Sequence, residues 1–480
     1  MRIGTTRPAR PRPKRGRPEA SRAPGARRGP GPTHSRILAL RVLERVQRAG
    51  AYADLLLQSA LGKSALSAAD RAFATEIVYG TLRWRGRIDF LLGRVLDREL
   101  EKLEPLVATA LRLGAYQILF TGGVPAEAAV DESVRCVRAA GAERATGLVN
   151  AVLRRLAKEH AEIALPSLES DPLGHLTHAL SLPGWIGARW LEIFGPQAAA
   201  ALGRACNEAP PLCVRANRRL VPRERLLDEL LGRFPAAVPC RFARDGIVLG
   251  RRGAAGVDPA FLSGRFTVQD EASQLVVALL DPQPGERVLD VCAAPGGKAT
   301  AVAERVGDAG LVLALDRHPR RLELLRRAAR RLALPNLRAL ARDAARPLAD
   351  LDPGGGFDRA LVDAPCSGLG ALRRNPDARW RIGPADPERL AEVQLALLQS
   401  AASVLRPGGA LVYSTCTLLP EENERVVEAF LRGAPGFALA PAGAAPEETR
   451  ALLDEQGFLR CLPHVHDTDG FFAARFERLP

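Results

Sequence analysis

No run of apolar residues in this chain approaches the roughly 20 that a helix needs to cross a bilayer; residues 275–280 make one such run, and it stops after six. The amino terminus has no apolar core of the kind a signal peptide carries. Neither a membrane protein nor a secreted one is expected, and a cytoplasmic location is. No two cysteines form a CxxC pair, and the eight present are scattered at 136, 206, 213, 240, 292, 366, 416 and 461. That argues against a zinc ribbon or a secreted disulfide framework and leaves thiols that pack or react; no metal is expected. Lysine is scarce: arginine carries nearly all the positive charge, and the lysines are only Lys14, Lys63, Lys102, Lys158 and Lys298. No internal repeat is present.

What is abundant is positive charge. A net charge of +14 and a pI near 10.1 favour a polyanionic partner, and nucleic acid is the commonest. Much of the excess sits in residues 1–34, a Pro/Gly-rich stretch whose composition predicts a disordered tail. It either touches phosphates non-specifically or is a solvated extension. From 35 to 158 the pattern is helical: Leu38, Val42 and Val46 form an apolar stripe, Ser67 to Asp70 is a capping box, and strand signals are absent. An all-α domain follows. Residues 159–265 are broken by prolines and read as a linker and a small α/β module, with a helix over 223–234, a hairpin-like segment at 246–249 and Arg215, Arg218 and Arg219 as candidate phosphate contacts. From 266 to 480 short apolar runs alternate with helices, the mark of a doubly wound, Rossmann-like parallel sheet. Its strands are predicted at 287–290, 311–316, 337–340, 358–363, 410–414 and, late, 471–476.

The first strand-to-helix turn of that domain reads Asp290-Val291-Cys292-Ala293-Ala294-Pro295-Gly296-Gly297-Lys298. Its glycines let a ligand approach backbone N–H groups at a helix start. It is neither GxGxxG nor GxxxxGK[ST], so a pyrophosphate or triphosphate cradle is not indicated. The next strand ends in Asp316, at the offset where an acidic residue accepts from ribose hydroxyls. Asp343 and Asp363 end the following strands, and Lys298 offers an ammonium to a carboxylate. An adenosine with an amino-acid tail and no phosphates fits these residues, which makes S-adenosylmethionine the expected cofactor.

Two cysteines, Cys366 and Cys416, stand just past the strands at 358–363 and 410–414. If those strands are neighbours, both thiols meet at the carboxyl edge of the sheet, where open α/β sheets build ligand sites. Arg373, Arg374 and Lys298 are candidates to stabilise a thiolate, and Trp380 or Tyr413 to stack on an exposed base.

With those residues in hand the chain resembles the RNA cytosine-5 methyltransferases. The resemblance rests on the 290–298 turn, on Asp363-Ala-Pro-Cys-Ser-Gly-Leu-Gly370, on residues 373–380 and on Tyr413-Ser-Thr-Cys-Thr417, and covers residues 266 to 480. The helical block, with Glu76-Ile-Val-Tyr-Gly80, Leu113-Gly-Ala-Tyr-Gln117 and Val149-Asn-Ala-Val-Leu153, resembles an RNA-binding domain of the antitermination-factor type, and the domain order is similar to that of family members acting on 16S rRNA. The resemblance implies Cys416 as the nucleophile, Cys366 as the residue that helps release product, and Asp316, Asp343 and Asp363 as ligand contacts. It implies 16S rRNA as partner, and a monomer is expected. Chemistry alone leaves open which thiol attacks, because DNA cytosine methyltransferases use the cysteine of a Pro-Cys pair like Pro365-Cys366. A tRNA substrate, or a non-catalytic assembly factor that retains the domain, are the alternatives.

Overall fold

The computed structural model describes residues 33–250, 255–351 and 354–480; residues 1–32, most of the basic tail, lie outside them. The amino-terminal part is helical, with α1 (His34–Ala49), α2 (Ala53–Gly62), α3 (Ala68–Arg83), α4 (Arg85–Val95), α5 (Pro105–Phe120), α6 (Ala126–Ala139) and α7 (Thr146–Glu159). Ser67 caps α3 by accepting from the Asp70 N–H at 3.1 Å, which satisfies a donor the first turn leaves unpaired. Helix α5 is the axis of this unit: every residue from Val107 to Gln117 is buried, as expected for a helix covered on all sides. Gly80 of α3 faces Tyr116 of α5, where a Cβ would lie 1.9 Å from the ring. The phenol then reaches Glu76 at 2.5 Å. A side chain at position 80 would force the two helices apart.

A four-stranded antiparallel sheet follows, made of β1 (Cys213–Ala216), β2 (Val238–Pro239), β3 (Gly246–Val248) and β4 (Phe266–Val268) in the order β2-β3-β1-β4. The helix Arg223–Leu231 covers it through fully buried Leu226 and Leu230.

The last unit is built on β5 (Arg287–Asp290), β6 (Leu311–Asp316), β7 (Leu337–Ala341), β8 (Phe357–Asp363), β9 (Leu405–Thr415), β10 (Phe437–Leu439), β11 (Leu459–Cys461) and β12 (Phe471–Arg478). The order is β10-β12-β9-β8-β5-β6-β7, with β11 beside β12. The five strands from β9 to β7 run parallel, as expected. The other edge differs, for β10, β11 and β12 are antiparallel, and the sheet is mixed. The nine residues joining β11 to β12 are too few for a parallel crossover. Strand order reverses between β5 and β8, so their carboxyl ends open a crevice of the type that binds ligands in such sheets.

Residues 373–381 strap the helical unit to the sheet. Arg83 donates to the Arg373 carbonyl at 2.8 Å, Arg379 to the Arg83 carbonyl at 3.2 Å and the Trp380 indole to the Leu82 carbonyl at 2.6 Å. Arg379 is fully buried and also reaches the Ser181 and Cys206 carbonyls and the Asn207 amide oxygen.

Candidate active site

At the switch point, Asp290 ends β5 with its carboxyl buried. One oxygen accepts from the Cys292 N–H at 3.3 Å and the other, Oδ2, has no partner. Burial, reinforced by Asp363, pushes its pKa up to about 8, because a desolvated carboxylate favours its neutral form. The turn then passes through Val291, Cys292, Ala293, Ala294 and Pro295 to Gly296, whose φ of 117° belongs to the left-handed region and whose Cβ would sit 3.0 Å from Leu325. Gly297 opens the helix Gly297–Val306. Asp316 ends β6, largely buried, and accepts from the His318 N–H at 2.8 Å. A buried acceptor without a partner, glycines where side chains would intrude, and a helix amino terminus together form a cradle that fits an adenosine with an amino-acid tail.

Lys298 is buried, and its ammonium lies 2.7 Å from Asp363 Oδ2 and 4.8 Å from the centre of the Phe471 ring. The carboxylate of Asp363 accepts in turn from Ser414 Oγ at 3.0 Å. The lysine is thus held by the end of β8. Asp343 is placed differently from the other three aspartates. It is exposed after β7, where it accepts from the Ala345 N–H at 3.2 Å.

The two thiols meet. Parallel pairing sets Asp363 opposite Ser414, so the turns after β8 and β9 bring Cys366 Sγ and Cys416 Sγ to 3.3 Å, and the Cys416 N–H donates to Cys366 Sγ at 3.3 Å. The Cys366 thiol is held well above its ordinary pKa by its hydrogen bond to Cys416, by burial and by the nearby Glu422. Behind the pair, Glu422 accepts from the Ser367 N–H at 2.8 Å and from Gln394 at 3.0 Å. Asn423 accepts from Thr415 Oγ1 at 2.6 Å and donates to the Thr417 carbonyl at 3.2 Å. Both cysteine turns are therefore tied to one short segment. The cluster Glu421-Glu422-Asn423-Glu424, five to eight residues past Cys416, was the signal that would have found it.

Several side chains read as substrate groups are structural. Arg373 binds Asp467 at 2.7 Å and the Thr468 carbonyl at 2.7 Å; Arg374 bridges Asp469 and Asp270, both at 2.7 Å. Neither guanidinium is left to stabilise a thiolate. Trp380 belongs to the strap, and Tyr413 is buried, donating to the Glu422 carbonyl at 2.5 Å. Arg215 is buried against the helix Gly297–Val306, reaching Glu304 at 2.7 Å and the Gly297 carbonyl at 2.8 Å. It therefore braces the 290–298 turn and does not stand on the surface as a phosphate contact would. Cys292 is half-buried, and burial beside Asp290 drives its thiol pKa far up.

Comparison with known proteins agrees with this geometry. Residues 277–477 match the model of the 16S rRNA methyltransferase RsmB/F family, residues 33–158 that of the NusB family and residues 182–255 that of a ferredoxin-like domain of RsmF/B-like methyltransferases. A Bacillus subtilis protein named "Probable ribosomal RNA small subunit methyltransferase B" is 37% identical over 450 residues, covering 93% of this chain and 99% of its own. The ribosomal RNA small subunit methyltransferase B of Pseudomonas putida is 35% identical over 448 residues, covering 92% and 98%. The crystal structure of PH0851 superposes with a TM-score of 0.77 at 25% identity, over 92% of this chain and 98% of that one. The chain belongs to the 16S rRNA methyltransferase RsmB/F family and is, with it, an S-adenosylmethionine-dependent RNA methyltransferase.

Proposed function

We propose that this protein methylates C5 of one cytosine in 16S rRNA, in the cytoplasm, with Cys416 as nucleophile and Cys366 as the group that assists release. The observation that carries the reading is the pair of thiols 3.3 Å apart at the carboxyl ends of adjacent strands, beside the cradle. Cytosine C5 is too weak a nucleophile to be alkylated unaided. Addition of the Cys416 thiolate at C6 moves electron density to C5. S-adenosylmethionine, when bound, supplies the electrophilic methyl group. A water or hydroxide from solvent then takes the C5 proton, the C5–H electron pair re-forms the C5–C6 double bond, the C6–S bond breaks, and Cys416 departs as thiolate. Cys366, kept protonated by its surroundings, serves in this scheme as hydrogen-bond donor to Cys416 Sγ and so eases its departure as thiolate. The Asp363 carboxylate is proposed to accept from the cytosine edge, and Lys298 to hold that carboxylate in place.

The cradle is proposed to be Cys292 to Lys298 with Asp316 at the ribose, and Asp343 closing over the adenine side. The helical unit, 35–158, is proposed to bind RNA, the module over 159–265 to bridge it to the catalytic unit, 266–480, and the tail, 1–34, to add non-specific phosphate contacts. The target base must leave its stack to enter the crevice, which favours loops over duplex. Bisulfite sequencing of total RNA from a strain lacking the gene tests the reading. One cytosine of 16S rRNA is expected to lose its mark and regain it on complementation; loss of a mark in tRNA alone would contradict it.

A further inference from the structure

We infer that the outer edge of the catalytic sheet, built from β7 and the helix Pro319–Arg331, is a docking surface for the sugar–phosphate backbone of the RNA, apart from both the helical unit and the thiol crevice. Residues 317–346 hold ten arginines and two acidic residues, Glu323 and Asp343. If the tail, with ten basic residues and Glu19, is also set aside, the rest of the chain carries 48 basic and 51 acidic residues. The net positive charge of the folded protein is thus concentrated on one helix and one edge strand.

Arg321, Arg326, Arg331 and Arg342 brace backbone carbonyls, but Arg320, Arg327, Arg330 and Arg338 hold little of the fold. Arg320 and Arg338 are exposed, and their guanidinium groups have no ion pair or hydrogen bond among the described residues. Arg327 and Arg330 are 70% and 68% exposed and share the single carboxylate of Glu323, a surface arrangement worth little to stability. Like charges this dense repel, at a cost that a folded protein bears only weakly in water and sheds when a polyanion covers them. The edge is also shaped. A groove of about 680 Å³ runs beside it, lined by Arg326 and Arg330 with Arg219 of the small module and one acid, Asp308. β7 ends the sheet with β6 as its partner, so no further strand blocks approach. The substrate crevice lies on the other side of β5, at β8 and β9. RNA engaged there and at this edge would span the domain, which suits a large folded RNA better than a short loop.

This inference rests on RNA being the substrate. The test is salt-dependent binding of RNA extracted from the deletion strain, comparing the natural protein with a variant carrying Arg320→Ala, Arg327→Ala, Arg330→Ala and Arg338→Ala. Binding of S-adenosylmethionine by calorimetry reports that the variant is folded. The variant is expected to bind the cofactor normally, to bind RNA at least tenfold more weakly, and to show a slope of log affinity against log salt shallower by about 3, since each lost phosphate contact removes 0.7 to 0.9. Unchanged affinity and slope would overturn the inference and leave the edge as a solvated face. Normal binding of free RNA with impaired methylation of 30S particles would overturn it as well, by pointing to a protein partner. Should the natural protein fail to methylate that RNA or 30S particles from the same strain, the functional reading itself falls and the inference with it.

Discussion

At the scale of single residues, the site depends on two buried acids, Asp290 and Glu422. Asp290 is ionised in the unfolded chain above about pH 4 but stays protonated when folded until about pH 8. A raised carboxyl pKa contributes stability that is complete below the unfolded value and declines as pH rises through the folded one. The cofactor-free protein is therefore expected to lose stability from pH 4 to pH 8 at up to about 1.4 kcal/mol per pH unit from this group. Asp290→Asn keeps an acceptor for the Cys292 N–H and removes the titration. Urea denaturation across that window should be flatter for the variant, and parallel curves would refute the assignment. Glu422 acts on the thiol. Replacing it by Gln removes a negative charge near Cys366, whose pKa should fall toward its ordinary value. Alkylation of Cys366 at fixed pH, followed by mass spectrometry, should accelerate several-fold; an unchanged rate would mean that Glu422 only shapes the turn.

At the scale of elements, the strap over residues 373–381 carries the contact between the helical unit and the sheet. Arg379→Met is near in volume but leaves four acceptors, from Arg83, Ser181, Cys206 and Asn207, without their donor. Breaking such a buried network is expected to cost about 3 to 5 kcal/mol, and the thermal transition should split or broaden as the units part. Retention of one sharp transition at the natural temperature would contradict this. Gly370 is equally exposed to test, for its N–H donates to the Cys416 carbonyl at 2.8 Å and a Cβ there would lie 2.1 Å from the Gly470 carbonyl. Gly370→Ala should displace the Cys416 turn and reduce methyl transfer by more than tenfold, measured with tritiated cofactor.

The same elements mark how far the sequence could be read. The parallel strands and the meeting of Cys366 with Cys416 were legible because strand period and motif position are local, and pairing then follows from topology. Arg373, Arg374 and Trp380 were misread because their partners lie about 95 to 300 residues away, and an arginine that will be buried looks like one that will meet phosphate. The antiparallel edge was missed for a similar reason. β10 and β11 are three residues each, too short to show alternation, and strand direction depends on the connection between them.

At the scale of the whole molecule, the Cys366–Cys416 pair lies between the proposed cofactor cradle on β5 and β6 and the helical unit, proposed to bind RNA, that the strap ties on. The two cysteines are proposed to have different duties, Cys416 forming the bond to the base and Cys366 helping to break it, and no other part of the account depends so directly on geometry. Incubating RNA from the deletion strain and S-adenosylmethionine with Cys366→Ala, and separately with Cys416→Ala, then resolving the products on a denaturing gel, separates those duties. A slow-migrating protein–RNA adduct with Cys366→Ala, and none with Cys416→Ala, is the predicted result. An adduct with Cys416→Ala instead would reverse the roles, and an adduct with neither would contradict covalent catalysis by this pair.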